Sequence, residues 1–396
     1  MATLLHLQEP PRPAQPPSGL ALWALGFRPF YLLASVFAAL AMPLWALQFA
    51  GWLPGVRAPA WHAHEMLFGF TLAVIVGFLF TAGRNWSGQP TPSGGALMAL
   101  AILWLAARLM VYTPWPLATL LVSLAFPLWC AAALFRALSA AKNQRNYFFS
   151  AVLLALAAAQ GLLQASLAGW IGVPPARGLQ LGLDAVLFVM AVMGGRVIPM
   201  FSNNGAPGTD AQRQPWLERV ALGAVLALWV ADALGVQGAW LAAVAAAAAA
   251  AHLGRWLLWH PWRTRRAPLV WVLHLAYAWI VLHLALRAAA ALGWVAESAA
   301  VHALTAGAIG GLTIGMMTRT ARGHLGLPLR AEAAERWMYA LVALGAAVRV
   351  FVPVLAPAAT VTAVLLSGLL WSAGFALYAW RYAPWLLRPR VDGRPG

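Results

Sequence analysis

Charge is scarce in this sequence. Only 9% of its 396 residues are Asp, Glu, Lys or Arg, against about 25% in a soluble globular domain. With 62% hydrophobic residues, an ordinary water-soluble fold is excluded and a single polytopic helical membrane unit is expected. Cysteine is almost absent. Cys130 is the only one and lies in an apolar run, which excludes an intrachain disulfide and any cysteine-based metal or haem-attachment motif. Lysine is equally scarce, since every basic residue but Lys142 is an arginine. Residues 1–18 are proline-rich and hold no apolar core of a signal peptide. A disordered tail is expected over residues 1–20, leaving membrane insertion to the first helix. There is no P-loop, no dinucleotide fingerprint and no Ser-His-Asp arrangement.

What is present is a series of about twelve apolar segments of roughly 17–26 residues, the length that a ~30 Å hydrocarbon core requires. They are read at 22–47, 64–83, 95–111, 115–138, 147–172 and 178–200, then 216–235, 239–258, 267–292, 299–318, 336–355 and 359–380. One membrane domain over residues 21–387 and a short tail over 388–396 follow. A net charge of +16 on a soluble protein would suggest nucleic acid. Here the arginines sit at the ends of apolar runs, so the expected partner is the lipid bilayer and not nucleic acid. The loops after even-numbered segments carry Arg84, Arg136, Lys142, Arg145, Arg213, Arg219, Arg263, Arg265, Arg266, Arg319, Arg322 and Arg330, whereas the odd loops offer Arg57 and Arg177. The positive-inside rule places the even loops and both termini in the cytoplasm.

Chemistry concentrates at Trp61-His62-Ala63-His64-Glu65-Met66, at the outer mouth of the second segment. Ionisable groups at the edge of a membrane helix are costly and mark sites or pathways. Neutral imidazole is a common ligand of haem iron and copper, and helix bundles build such sites from facing helices. His62, His64 and His302 share the outer side, and His283 has the matching depth in segment nine. His274 is nine residues from His283, on the opposite helix face. His62, Glu65 and Met66 share a face at i, i+3 and i+4, with Glu65 placed to orient an imidazole. An interfacial belt of His and Trp explains the same residues without a ligand. Gly307, Gly310, Gly311 and Gly315 bare one side of segment ten, for helix packing or for a flat macrocycle. Asp184, Gln160, Gln164 and His274 are polar groups within the bilayer that suit a transport path or interhelical bonding. Arg84, Arg196, Arg319, Arg322 and His324 cluster at cytoplasmic ends, as anchors or as an anion site.

Several blocks in order resemble the NnrS family. They are Gly26-Phe27-Arg28-Pro29-Phe30, Trp61 through Phe70, Gly77 through Ala82 with Asn85-Trp86, and Gly195-Arg196-Val197-Ile198-Pro199 with Asn203-Asn204. His302 through Ala308 and Met316 through His324 complete them. The resemblance implies a polytopic protein of the bacterial inner membrane, associated with haem and copper and linked to nitric oxide and nitrosative stress. It hands over no ligand set. His62, His64, Glu65 and His302 are taken as candidates for haem, and His62, His64, His283 and His302 for a metal such as copper. Arg84, Arg196, Arg319, Arg322 and His324 are carried as family-motif residues. The outer histidines on segments two and ten also look like the catalytic subunit of haem–copper oxidases and nitric oxide reductases, although segments six and seven lack the histidines of a binuclear centre. A transporter of a small solute or metal, and an assembly factor for a respiratory complex, are the alternatives.

Overall fold

The structure, a computed structural model, describes residues 19–53 and 58–393. The expected N-terminal tail falls outside the described residues except at Gly19 and Leu20, as does Arg57. Twelve helices of roughly membrane length follow one another. They are α1 (Phe27–Phe49), α2 (Ala58–His64, continued by Glu65–Thr71 and Leu72–Ser87), α3 (Gly94–Met110), α4 (Pro116–Ala140), α5 (Phe148–Leu167) and α6 (Pro175–Gly205). Then come α7 (Pro215–Leu234), α8 (Gly238–Leu258), α9 (Pro268–Ala291), α10 (Glu297–His302, continued by Ala303–Ile309 and Gly310–His324), α11 (Ala333–Leu355) and α12 (Thr360–Leu387). Among the described residues there is no strand, and ten helical spans are long and apolar enough to cross a bilayer. The chain is a multi-pass helical membrane protein. Two helices fall outside that set for plain reasons. α3 has 17 residues, and α7 carries Glu218, Arg219 and Asp232.

Successive helices pack as neighbours and α12 returns against α1. The Ala21 amide donates to the Leu387 carbonyl at 2.8 Å, so the two ends of the bundle meet on one face, as an even number of crossings requires. The most enclosed helices are α2, α6 and α10, with 78%, 72% and 67% of their apolar windows buried. They come four apart, so each run of four helices sends its second member to the centre.

α2 and α10 share a feature that periodicity does not reveal. Each turns from α to π geometry just after its histidine, at Glu65–Thr71 and at Ala303–Ile309. π turns are rare, disturb the i→i+4 ladder and occur mostly at functional sites. A neighbouring tryptophan supports each one. The Trp104 indole donates to the Gly69 carbonyl at 3.0 Å, and the Trp371 indole donates to the Ala306 carbonyl at 3.2 Å. Buried backbone carbonyls need such partners.

The glycines of α10 are filled by protein. Gly307 faces the Trp279 ring, Gly310 faces Trp371, and Gly311 and Gly315 face Ala276 and Leu273. Of the two sequence-based expectations, these contacts satisfy helix packing and leave no bare face for a macrocycle. A methyl at Gly307 would overlap the indole. Gly307→Ala is therefore expected to cost about 1–3 kcal/mol by overpacking. A lower thermal midpoint in detergent would show it, and an unchanged midpoint would mean that Trp279 moves aside freely.

Candidate functional site

Between the central helices, at the end of the bundle away from the termini, lies a cavity of about 480 Å³, within the range of cofactor and ligand pockets. α2 brings His62 and Met66 to it, α10 brings His302 and Thr305, and α1 brings Met42 and Trp45. Arg349 of α11 and Trp371 of α12 complete the polar and aromatic walls.

The two histidines are held differently. The His62 ring stacks on Trp45 with centroids 4.7 Å apart and planes 12° apart. His302 Nδ1 lies 2.7 Å from the Ser298 carbonyl, one turn earlier on its own helix. That carbonyl can only accept, so Nδ1 carries the proton and Nε2 keeps its lone pair. This is the arrangement of a metal-ligating histidine whose other nitrogen is fixed by a backbone oxygen. Arg349 is an electrostatic neighbour of both His62 and His302, and no carboxylate pairs with it among the described residues. The cavity thus combines two imidazoles, the Arg349 guanidinium, the exposed Glu297 carboxylate and mainly apolar walls.

His64 and Glu65, expected beside that site, are placed elsewhere. Both are buried and neither lines the cavity. His64 Nδ1 donates to Glu65 Oε1 at 2.7 Å, so its Nε2 is the acceptor for the side-chain amides of Gln160 and Gln164, at 3.3 and 3.2 Å. Both ring nitrogens are occupied. Glu65 Oε2 accepts from Arg108 of α3 at 2.9 Å. Regular α periodicity puts Glu65 on the face of His62, and the π turn that begins at Glu65 breaks that periodicity. Glu65 does orient a histidine, but the histidine is His64.

His283 also lies apart from the cavity. Its Nδ1 donates to the Ala300 carbonyl at 2.8 Å, and its buried Nε2 has no hydrogen-bond partner. No group of three or more His, Cys, Asp or Glu side chains able to hold a metal ion occurs among the described residues. The polar set expected to line a transport path divides into three separate networks. Gln160 and Gln164 serve His64, His274 Nε2 lies 2.7 Å from the Ser202 hydroxyl, and Asp184 accepts from Gln180 and Arg287.

At the arginine-rich end the same three helices enclose a second cavity, of about 700 Å³. Of the family-motif residues, Arg196, Arg319 and His324 line it. Arg84 is exposed and lies outside it. Arg322 is buried and structural, donating to Glu335 at 2.7 Å, to Glu332 at 3.1 Å and to the Pro328 carbonyl at 2.7 Å. Beyond the end of the span, Arg322 beside Glu332 holds that carboxyl below its ordinary range.

Sequence reasoning missed Arg349, Arg108 and Arg287. Each is a charge within an apolar helix, and that was the available signal, because such charges face the protein interior and mark sites or pairs. No curated protein matches the chain significantly. A family model described as NnrS protein matches residues 21–390, nearly the whole chain. The chain belongs to the NnrS family, a family of nitric-oxide-related membrane proteins.

Proposed function

We propose that this protein binds haem in the cavity between α2 and α10 and acts in nitric oxide metabolism or nitrosative stress at the bacterial inner membrane. One observation carries the reading. His62 and His302, on different central helices, line one cavity beside Arg349, which makes no direct ion pair among the described residues. His302, with Nδ1 fixed on Ser298, and His62 would hold the iron. Arg349 suits a propionate, because guanidinium binds carboxylates by a planar fork. A haem there supplies an iron centre that binds nitric oxide. The chain's own part is to fix the imidazoles through Trp45 and Ser298, and to surround the group with mainly apolar walls.

Copper is a second reading of the same cavity. Met42 and Met66 line it with the two histidines, and thioether with imidazole suits copper. His283, absent from that lining, is not needed for it.

The deciding experiment is an optical spectrum with metal analysis of detergent-purified protein. A Soret band is expected, with haem content greatly reduced in His302→Ala and in His62→Ala and retained in His64→Ala. Copper without a Soret band, lost in the same two variants, favours the second reading. If both variants keep full haem and an unchanged spectrum, the assignment is wrong. Metal-dependent uptake into proteoliposomes with no stable chromophore would favour a transporter.

A further inference from the structure

The second cavity is lined by five arginines, Arg145, Arg196, Arg213, Arg319 and Arg390, and, among the described residues, by no Asp or Glu. Positive-inside anchoring explains arginines at a helix end that point outward to water and lipid. It does not explain arginines from α6, α10 and the loops before α5 and α7 converging on one space inside the bundle.

Two of the five are compensated. Arg390 is held bidentate by Asp392, at 2.8 and 2.6 Å, and Arg213 reaches Glu218 at 3.5 Å. The other three have no carboxylate partner among the described residues. Arg196 is partly buried, and it donates to the Asn146 side-chain oxygen at 2.7 Å while lying over the Phe148 ring at 5.3 Å. Arg319, also partly buried, lies 3.8 Å from the Phe201 ring centroid. Aromatic faces hold a guanidinium in place without neutralising it. Arg145 is exposed at the rim. Like charges gathered in a partly enclosed space repel one another, and a multivalent anion relieves that repulsion.

We infer that this cavity binds a phosphate-bearing polyanion. A single carboxylate satisfies one planar fork. Phosphate groups present oxygens in several directions and accept from arginines on different helices at once. The ligand is either a soluble phosphate compound or the headgroup of an anionic lipid, since the cavity lies at the arginine-rich ends of the membrane helices.

The test is calorimetric titration of inorganic pyrophosphate into the full-length protein in phosphatidylcholine nanodiscs at low salt. Saturable binding is expected, weakened at least about tenfold in the Arg196→Gln/Arg319→Gln variant, because two charged hydrogen bonds are lost. If that variant fails to accumulate, Arg145→Gln at the exposed rim is expected to weaken binding about two- to fivefold. Repeating the titration in nanodiscs with cardiolipin separates the sources. Suppressed pyrophosphate binding identifies a lipid headgroup, and unchanged binding identifies a soluble ligand. The inference is overturned if pyrophosphate does not bind saturably and cardiolipin is not retained. It is equally overturned if the arginine variants bind as tightly as the wild type.

Discussion

Replacing Arg108 by leucine is expected to cost about 3–5 kcal/mol, the range for removing one partner of a buried ion pair. Glu65 is 1% exposed, and its Oε2 is held at 2.9 Å by Arg108. With leucine at 108 the carboxylate keeps only the His64 Nδ1 proton, in a region where water cannot replace the guanidinium. The damage should spread, because Glu65 opens the π turn that sets the phase of α2 between His62 and Met66. Loss of thermal midpoint and, on the proposed function, of haem retention are therefore expected together. Glu65→Gln combined with Arg108→Leu removes the stranded charge, and is expected to recover much of the stability. A double variant no better than Arg108→Leu alone would mean that the pair is not the source of the loss. The cycle isolates that coupling because the two residues are in direct contact.

The contrast between Glu65 and His62 shows what the sequence could convey. Twelve apolar runs were legible because length and hydropathy are local properties, and the bilayer imposes them on each helix separately. The pairing of His62 with His302 was legible because topology assigns both to one side of the membrane. The choice between His62 and His64 was not. It depends on a π turn that only a tertiary partner supports, the Trp104 indole on a neighbouring helix. Glu65 has its counter-charge 43 residues away in the chain, a relation that no spacing rule contains. The glycines of α10 were ambiguous for a similar reason. A bare face is visible in sequence, but the Trp279 ring that fills it at Gly307 is not. Arg349 gave a local signal, a charge inside the apolar α11, but no spacing rule ties it to His62 and His302 on other helices.

Arg287→Leu is the second substitution expected to be severe. Arg287 serves two buried carboxyls at once, bonding Asp184 at 3.3 Å and also pairing closely with Asp232. The second oxygen of each aspartate has no hydrogen-bond partner. One cation faces two acidic side chains, so its removal strands both in an apolar interior. A loss at or above about 3–5 kcal/mol is expected, seen as failure to accumulate in the membrane or as a collapsed thermal midpoint. Asp232→Asn should behave oppositely. It leaves a one-to-one pair of Arg287 with Asp184, and is expected to stay within about 1 kcal/mol of the wild type, because the lost charge was the one in excess. The triad also reaches the proposed haem cavity. The Gln180 amide donates to Asp184 at 2.9 Å and Gln180 lines the cavity wall, so Asp184 fixes one side of the site from α6. Haem retention should accordingly survive in Asp232→Asn. It should weaken in Asp184→Asn, where an amide replaces the carboxyl that holds Gln180. Should Arg287→Leu accumulate and melt like the wild type, or Asp232→Asn prove as damaging as Arg287→Leu, the triad is not organised around its single cation.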